Sequence, residues 1–543
     1  MPTAETSENF SENPGTATAG PGTPGLDGPA AAASAPSLTK RAVAGTAWSS
    51  LSMAGRQVLT IASVATVARL LGPDAYGVMG MANLLMAFIL NFRDLGTGSA
   101  IIQRKTITNR LISSLFWVNF ALGLFLAGIV CAASPAVAGF FKTPELIPIL
   151  CTLSISFWLT SCGIVHSSLI IREMRFRALA ASDLSAAAMA YLVALSFAYK
   201  GFGVWSLVFA NLASSLTACI GYWIGSHWRP SWEFDGASIR SVAKYSLNLS
   251  GFGLVNYFSR NADNITVGKV LGKAPLGDYQ MAYNLMLTPI QNISSVIAQA
   301  TFPAFARIQD DNGRFRQAYT RSCMLIALIS FPVMAGLGVV ADPMIRTILG
   351  AKWIGAIRVF QILAPVGIVQ SVQTTVGQIY MAKGRTDWFF RWGIASGLIL
   401  VSSFLVGIHF GILGVATAYC IAFIGITMIP GFLIPFRLIG LKLADFARAL
   451  LPQILITALM AAICIGWLNL LPAIGIAAPW LLLTSTIMLG MAVYVIAMLV
   501  VWPPVLQYLE TVMTASGRTS IALLLVRIKA LSRRGRRGFP EVA

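Results

Sequence analysis

Few side chains in this sequence could do chemistry, and the notable ones stand inside long apolar runs: Arg56, Arg260 and Asp263. A charged group at the centre of a membrane-spanning helix costs roughly 2.5–3.5 kcal/mol on insertion scales, so it faces protein or a water-filled cavity rather than lipid. Arg56 offers a planar guanidinium that can grip phosphate oxygens through two parallel donors. It can equally snorkel to headgroups from an over-long helix. Arg260 and Asp263 are three residues apart and share a helix face, where they can neutralise each other as a structural ion pair. The functional use of the same pair puts Arg260 on an anionic substrate and makes Asp263 its gate or proton-linked switch. Asn256, Asn264, Asn284 and Gln299, together with Asn261, Gln280, Gln291 and Asn292, supply amides that both donate and accept. Such groups suit sugar hydroxyls; singly, each also suits ordinary interhelical bonding, worth about 0.6 kcal/mol. Of the carboxylates, only Asp263 reads as standing clearly within a span, a balance that favours an anionic over a cationic ligand.

Other chemistries find no support. The seven cysteines lie in or beside apolar runs without paired loop spacing, and His166, His227 and His409 are scattered. They imply neither a disulfide framework nor a metal site, and no cofactor is expected. A phosphate-cradling GxxxxGK[ST] loop does not occur,.

The elements that must position these residues are membrane helices. The chain has 543 residues, 56% hydrophobic and 11% charged, with a mean hydropathy of +0.74, where a soluble protein carries about a quarter charged residues. Apolar runs give about fourteen spans. Six lie within 43–225, six within 245–436, and two near 449–470 and 477–502. The net charge of +19 could suggest nucleic acid, but the basic residues sit in short loops between spans, as topology determinants do. With the N-terminus cytoplasmic, about 29 basic residues fall inside and about 7 outside, which puts both termini in the cytoplasm. The loop over 341–356 is the exception, since Arg346, Lys352 and Arg358 would face outward; a re-entrant or interfacial segment is expected there.

The fold class is therefore an all-α polytopic membrane protein: two parallel six-helix bundles around a central cavity, plus two C-terminal helices. The expected organisation is a disordered cytoplasmic tail over 1–38, a first bundle over 39–226, a cytoplasmic linker over 227–244, and a second bundle over 245–440. Two additional helices over 441–502 and a basic amphipathic tail over 503–543 complete it; the last reads as an interfacial helix on anionic membrane lipids. Pro289, Pro332 and Pro365 inside spans are potential bending points.

The two halves are visible as a repeat. TVARLLGPDAYGVMGMANLLM (66–86) and TVGKVLGKAPLGDYQMAYNLM (266–286) share Thr, Val, Leu, Gly, Gly, Met, Ala, Leu and Met at a constant offset of 200. Both stretches form the turn between the first two helices of their half. Six is an even number, so the halves share one orientation, the geometry of parallel-repeat transporters with a cavity between halves. The charges do not repeat: Arg56 aligns with Asn256, and Arg260 and Asp263 align with Thr60 and Ser63.

ARLLGPDAYGVMGMA, followed by FRDLGTGSAIIQRKTITNRLISSLFWVN, resembles the first helices of polysaccharide-transport proteins of the multidrug/oligosaccharidyl-lipid/polysaccharide exporter superfamily. DNITVGKVLGKAPLGDYQMAYNL resembles the start of their second half. The resemblance, over roughly 40–440, implies flipping of undecaprenyl-diphosphate-linked oligosaccharide across the bacterial inner membrane for exopolysaccharide, lipopolysaccharide or capsule export, by alternating access. It leaves room for polysaccharide polymerase and export machinery as partners. The alternatives are an ion-coupled drug or cation antiporter of the same superfamily and a membrane-bound polysaccharide polymerase or ligase. The enzyme reading lacks a sizeable outer loop with a carboxylate–histidine set.

Overall fold

The computed structural model describes residues 38–93, 97–104, 107–233, 257–258 and 260–501. Every regular element among them is helical, because a chain in lipid must satisfy its backbone N–H and C=O groups internally. Helix α1 runs from Leu38–Ser63 through a π-helical turn, Val64–Ala68, to Arg69–Leu71. It is followed by α2 (Pro73–Arg93), the short α3 (Thr97–Gln103), α4 (Asn109–Phe141), α5 (Leu146–Arg172), α6 (Phe176–Tyr199) and α7 (Trp205–Ser226). The second half begins with α8, helical over 260–271, and α9 (Lys273–Arg307). Then come α10 (Asn312–Val339), the short α11 (Ala341–Ile348), α12 (Ile354–Gln373) and α13 (Val376–Ala382). It closes with α14 (Thr386–Gly407) and α15, which starts at Gly411–Cys420 and continues through a π-helical stretch to Met428–Ile439. Helices α16 (Leu443–Ala473) and α17 (Pro479–Val501) follow.

Eleven helical stretches among the described residues are long and apolar enough to cross a membrane. One of them, Thr386–Ile439, doubles back at Gly411 into α14 and α15, which pack together. Helix α9 has 35 residues but is not among the eleven. Its polar residues lower its hydropathy, and those residues matter below. The expected tail over 1–38, apart from Leu38, the expected tail over 503–543 and the part of the expected linker over 227–244 that follows residue 233 lie outside the described residues. The described start of that linker, 227–233, is laid against the first half: Trp117 Nε1 donates to the Ser231 carbonyl at 3.0 Å, and Trp232 stacks on Trp117 at 4.1 Å.

The repeated residues have identifiable jobs. Gly72 and Gly272 both take positive φ, +85° and +89°, in the turn between the first two helices of each half. A side chain there would meet the left-handed backbone penalty. Val267, Met81, Ala82, Met281 and Ala282 are all buried in one apolar core that both halves share, while Val67 is buried in a separate cluster with Ala194, Ala198 and Ala210. A second core cluster, around Phe305, Phe315, Tyr319 and Phe436, joins the second half to Phe446 and Leu450 of α16. At the start of α10, Asp311 caps the helix by accepting from the Arg314 backbone N–H at 3.0 Å, a bond that holds its carboxyl below the usual range. Pro289, Pro332 and Pro365 do lie inside helices α9, α10 and α12.

Candidate functional site: a polar cleft between two joined halves

The halves meet through a two-fold exchange of contacts. The Cα of Gly77 lies against the carbonyl of Lys273, and the Cα of Gly277 lies against the carbonyl of Pro73; a Cβ at either glycine would overlap that backbone. Residues 73 and 273, and 77 and 277, are equivalents in the repeat, so each half gives what it receives, as an isologous contact requires. One turn on, the Gln280 amide packs against Gly80.

This end of the molecule is joined further by the loops. Arg69 Nη1 donates to the Thr347 carbonyl at 3.2 Å, Lys352 Nζ to the Leu70 carbonyl at 2.7 Å, and Trp353 Nε1 to the Ala68 carbonyl at 2.9 Å. Trp353 is fully buried, with Tyr76 edge-on to it at 5.4 Å. The counterpart contacts pair Lys273 with Glu145 at 3.2 Å and set Lys269 over the Phe140 ring at 4.0 Å. The loop over 341–356, whose positive charges broke the expected pattern, is thus the plug that the second half inserts against the end of α1. Arg346 is taken by Asp342 at 2.8 Å, and Lys352 by a carbonyl.

Toward the opposite, arginine-rich end the two sides of the interface differ. On one side α8 still touches α2: Tyr257 donates its hydroxyl to the Leu84 carbonyl, and Phe88 packs against Tyr257 at 5.5 Å and Phe258 at 5.7 Å. The two-fold equivalent side lies between α1 and α9. There, among the described residues, no hydrogen bond, ion pair or ring contact links 48–63 to 273–294. Val58 is 66% exposed, and Asn284, Thr288 and Gln291 are exposed. These three continue the face of α9 that carries Gln280, at steps of four, four and three residues, the spacing of one helix face. The face that meets the first half at Gln280 thus looks across a cleft further in.

The sequence-derived candidates separate on this frame. Arg260 is exposed and has no hydrogen-bond or ion-pair partner among the described residues. Asp263 is buried at 3% exposure; its Oδ1 accepts from the Asn264 backbone N–H at 2.7 Å and its Oδ2 from the Tyr279 hydroxyl at 3.1 Å. The expected Arg260–Asp263 ion pair does not form among the described residues. Asp263 is turned toward α9, where hydroxyl and amide donors satisfy its oxygens. Asn264 gives Nδ2 to Asp263 at 3.2 Å, and its own amide oxygen is buried without a partner. Asn284 is exposed on the α9 stripe. Asn256 lies outside the described residues, as does the side chain of Gln299.

Arg56 behaves differently from Arg260. It pairs with Asp183 of α6 at 3.4 Å, within its own half, and Tyr222 of α7 donates to the same carboxylate at 2.5 Å. Asp183 corrects the reading that Asp263 alone stands within a span. Its position inside one of the six apolar runs within 43–225 was the available signal. The Tyr279 contact to Asp263 had no such signal, since a tyrosine at that spacing reads as core. Among the described residues no group of three metal-ligating side chains comes together. The arrangement offers one guanidinium and a row of amides and hydroxyls: groups that bind anions and sugars rather than break bonds.

Comparison with known proteins places the architecture. The family described as polysaccharide biosynthesis protein matches residues 66–358. The teichuronic acid biosynthesis protein TuaB of Bacillus subtilis (strain 168) is 27% identical over 440 residues, covering 79% of this chain and 90% of that protein. The lipopolysaccharide biosynthesis protein WzxC of Escherichia coli (strain K12) is 26% identical over 373 residues, covering 68% and 76%. Among solved structures, the lipid II flippase MurJ in an inward closed conformation aligns with a TM-score of 0.65 at 16% identity, over 82% of this chain and 97% of that one. The last likeness speaks for the fold. The family match agrees with the resemblance carried by the two repeated stretches.

Proposed function

The chain belongs to the polysaccharide biosynthesis protein family, and on that premise we propose that it flips undecaprenyl-diphosphate-linked oligosaccharide across the bacterial inner membrane. The observation that carries this reading is the cleft itself. Two repeat-related halves are joined at one end, while the polar face of α9 and the unpaired Arg260 stand exposed further in. In this reading fourteen helices cross the membrane, as two six-helix bundles around a central cavity plus α16 and α17. The arginine-rich end and both termini are cytoplasmic, and the joined end is periplasmic.

Flipping requires no bond chemistry. It requires a polar surface that replaces water around a diphosphate and a glycan, and a slot through which an apolar tail stays in lipid. Arg260 supplies planar bidentate donors for the diphosphate. Asn264, Asn284, Thr288 and Gln291 supply the mixed donors and acceptors that sugar hydroxyls need. The uncontacted side between α1 and α9 is the slot for the polyprenyl chain, since the opposite side is held by Tyr257, Phe88 and Phe258. Rocking the halves about the Gly77/Gly277 crossing then exchanges access between leaflets, as parallel repeats do around a fixed midplane site.

An antiporter for cationic drugs would need a carboxylate facing the cleft without a partner. Asp183 is taken by Arg56 and Tyr222, and Asp263 by Tyr279 and the Asn264 backbone. The test is deletion of the coding sequence followed by analysis of lipid-linked oligosaccharide. Complete repeat units trapped on the cytoplasmic leaflet, with surface polymer lost, are expected. Normal surface polymer together with new drug sensitivity would overturn the proposal.

A further inference from the structure

At the arginine-rich end the two halves handle the same location in opposite ways. In the first half, the segment after its sixth helix returns across the opening turns of its third helix, α4. Ser231 N–H donates to Ser113 Oγ at 3.1 Å, Trp228 Nε1 donates to Asn109 Oδ1 at 2.7 Å, and Trp232 stacks on Trp117. Indole rings fill the space. In the second half, the segment after α15 likewise returns to the opening turns of the third helix, α10. Arg316 Nη1 donates to the carbonyls of Ile439 at 3.3 Å and Gly440 at 3.2 Å. Here the ring that follows, Phe446, is buried against Tyr319 at 6.2 Å, and a cavity of about 610 Å³ remains beside the turn.

The lining of that cavity is cationic on one side and apolar on the other. Arg316, Arg321 and Lys442 contribute positive charge, and Gln317 adds a neutral donor. Met324 and Leu441 contribute an apolar wall. The one carboxylate in the lining, Asp445, already faces Arg448 at 3.6 Å. The two carbonyl bonds orient Arg316 through Nη1 alone, so its Nε and Nη2 donors have no partner among the described residues. The Lys442 ammonium has none either. The Arg316 guanidinium and the Lys442 ammonium stand at one cavity and repel one another, and a bound anion removes that repulsion.

The cavity opens at the start of α10, just before its apolar run. A span's apolar run begins where the hydrocarbon layer begins, which argues for lipid phosphates beside the cavity. We propose that it binds the phosphate of an anionic phospholipid, with Arg316 and Lys442 on the phosphodiester and an acyl chain along Met324 and Leu441. Free phosphate shares the charged chemistry, but it leaves the apolar wall unused. The site lies outside the cleft between the halves and stands independently of what that cleft carries.

The test uses the purified full-length protein in detergent. Dioleoylphosphatidylglycerol, dioleoylphosphatidylcholine and inorganic phosphate are the probes, and retained lipid is counted by native mass spectrometry. The phosphatidylglycerol is expected to bind roughly tenfold tighter than the phosphatidylcholine, given what each basic residue contributes near an anionic headgroup. Arg316→Gln with Lys442→Gln should erase that preference, with helical content and elution volume unchanged. The exposed single change Lys442→Glu should weaken it in the same direction, should the double variant fail to fold. Equal retention of the two lipids by the unaltered protein, or an unchanged preference in the variants, would overturn the proposal. So would displacement of the phosphatidylglycerol by millimolar phosphate, which would assign the site to a free anion.

Discussion

Arg56 and Arg260 are the same residue type at comparable depth in the first helix of each half, and their surroundings give them different work. Arg56 is paired with Asp183 across α1 and α6, a half-exposed contact inside one half. Arg260 faces no carboxylate among the described residues, because Asp263, three residues on, turns toward Tyr279 instead. A guanidinium kept in a membrane protein without a protein counter-ion needs water or an anionic ligand. Arg260→Ala is therefore expected to lower polymer export by roughly 10- to 100-fold, the worth of one lost charge-assisted contact, with the protein still present in the membrane. Arg260→Lys should recover part of the activity, since the charge stays but the bidentate geometry goes. Export measured at the unaltered level in Arg260→Ala would remove this residue from the site.

Among the elements, α9 does two jobs along its length. Its first turns cross α2 at van der Waals distance, which only glycine at 77 and 277 permits. Its later turns carry Asn284, Thr288 and Gln291 on the same face, where that face no longer meets a neighbour. The π-helical turn Val64–Ala68 lies in α1 just before the residues that engage the 341–356 loop. Such turns often mark sites where a helix must adjust. Gly77→Ala combined with Gly277→Ala is expected to wedge the crossing apart. A cysteine placed at the joined end should then react several-fold faster with a membrane-impermeant maleimide added from the periplasm, and export should fall. Unchanged labelling would mean that the crossing does not control access.

For the whole molecule, the two-fold exchange at the joined end sets what can move. Glu145 and Lys273 bridge the halves at 3.2 Å through two long side chains, so cysteines at these positions lie within reach of a short bifunctional thiol reagent when that end is shut. In a background lacking the seven native cysteines, Glu145→Cys with Lys273→Cys should be bridged by a short bifunctional methanethiosulfonate, whose links to the protein are reducible disulfides. Polymer export should stop and then return on reduction. A fully cross-linked protein that still exports polymer would rule out rocking of the halves at this end.

Membrane class, helix order and the duplication could all be read from the chain, because apolar length and a constant offset are local properties that survive without coordinates. The repeated glycines were visible too, and their pairing as 72 with 272 and 77 with 277 carried over directly into turn and crossing. Partnership between side chains could not be read in this way. The three-residue spacing of Arg260 and Asp263 suggested a pair, yet the rotation of α8 against α9 gives Asp263 to Tyr279. Asp183 was in plain view as a charge within a span, but only the packing of α6 on α1 shows that it answers Arg56. Likewise the anomalous charges over 341–356 make sense only once that loop is seated against α1 of the other half. Local periodicity decides which segments are helices and which face is apolar; which helix meets which face depends on contacts hundreds of residues apart. That is why the frame was legible in the sequence, while the division of its charges into structural and available ones was decided by the tertiary structure.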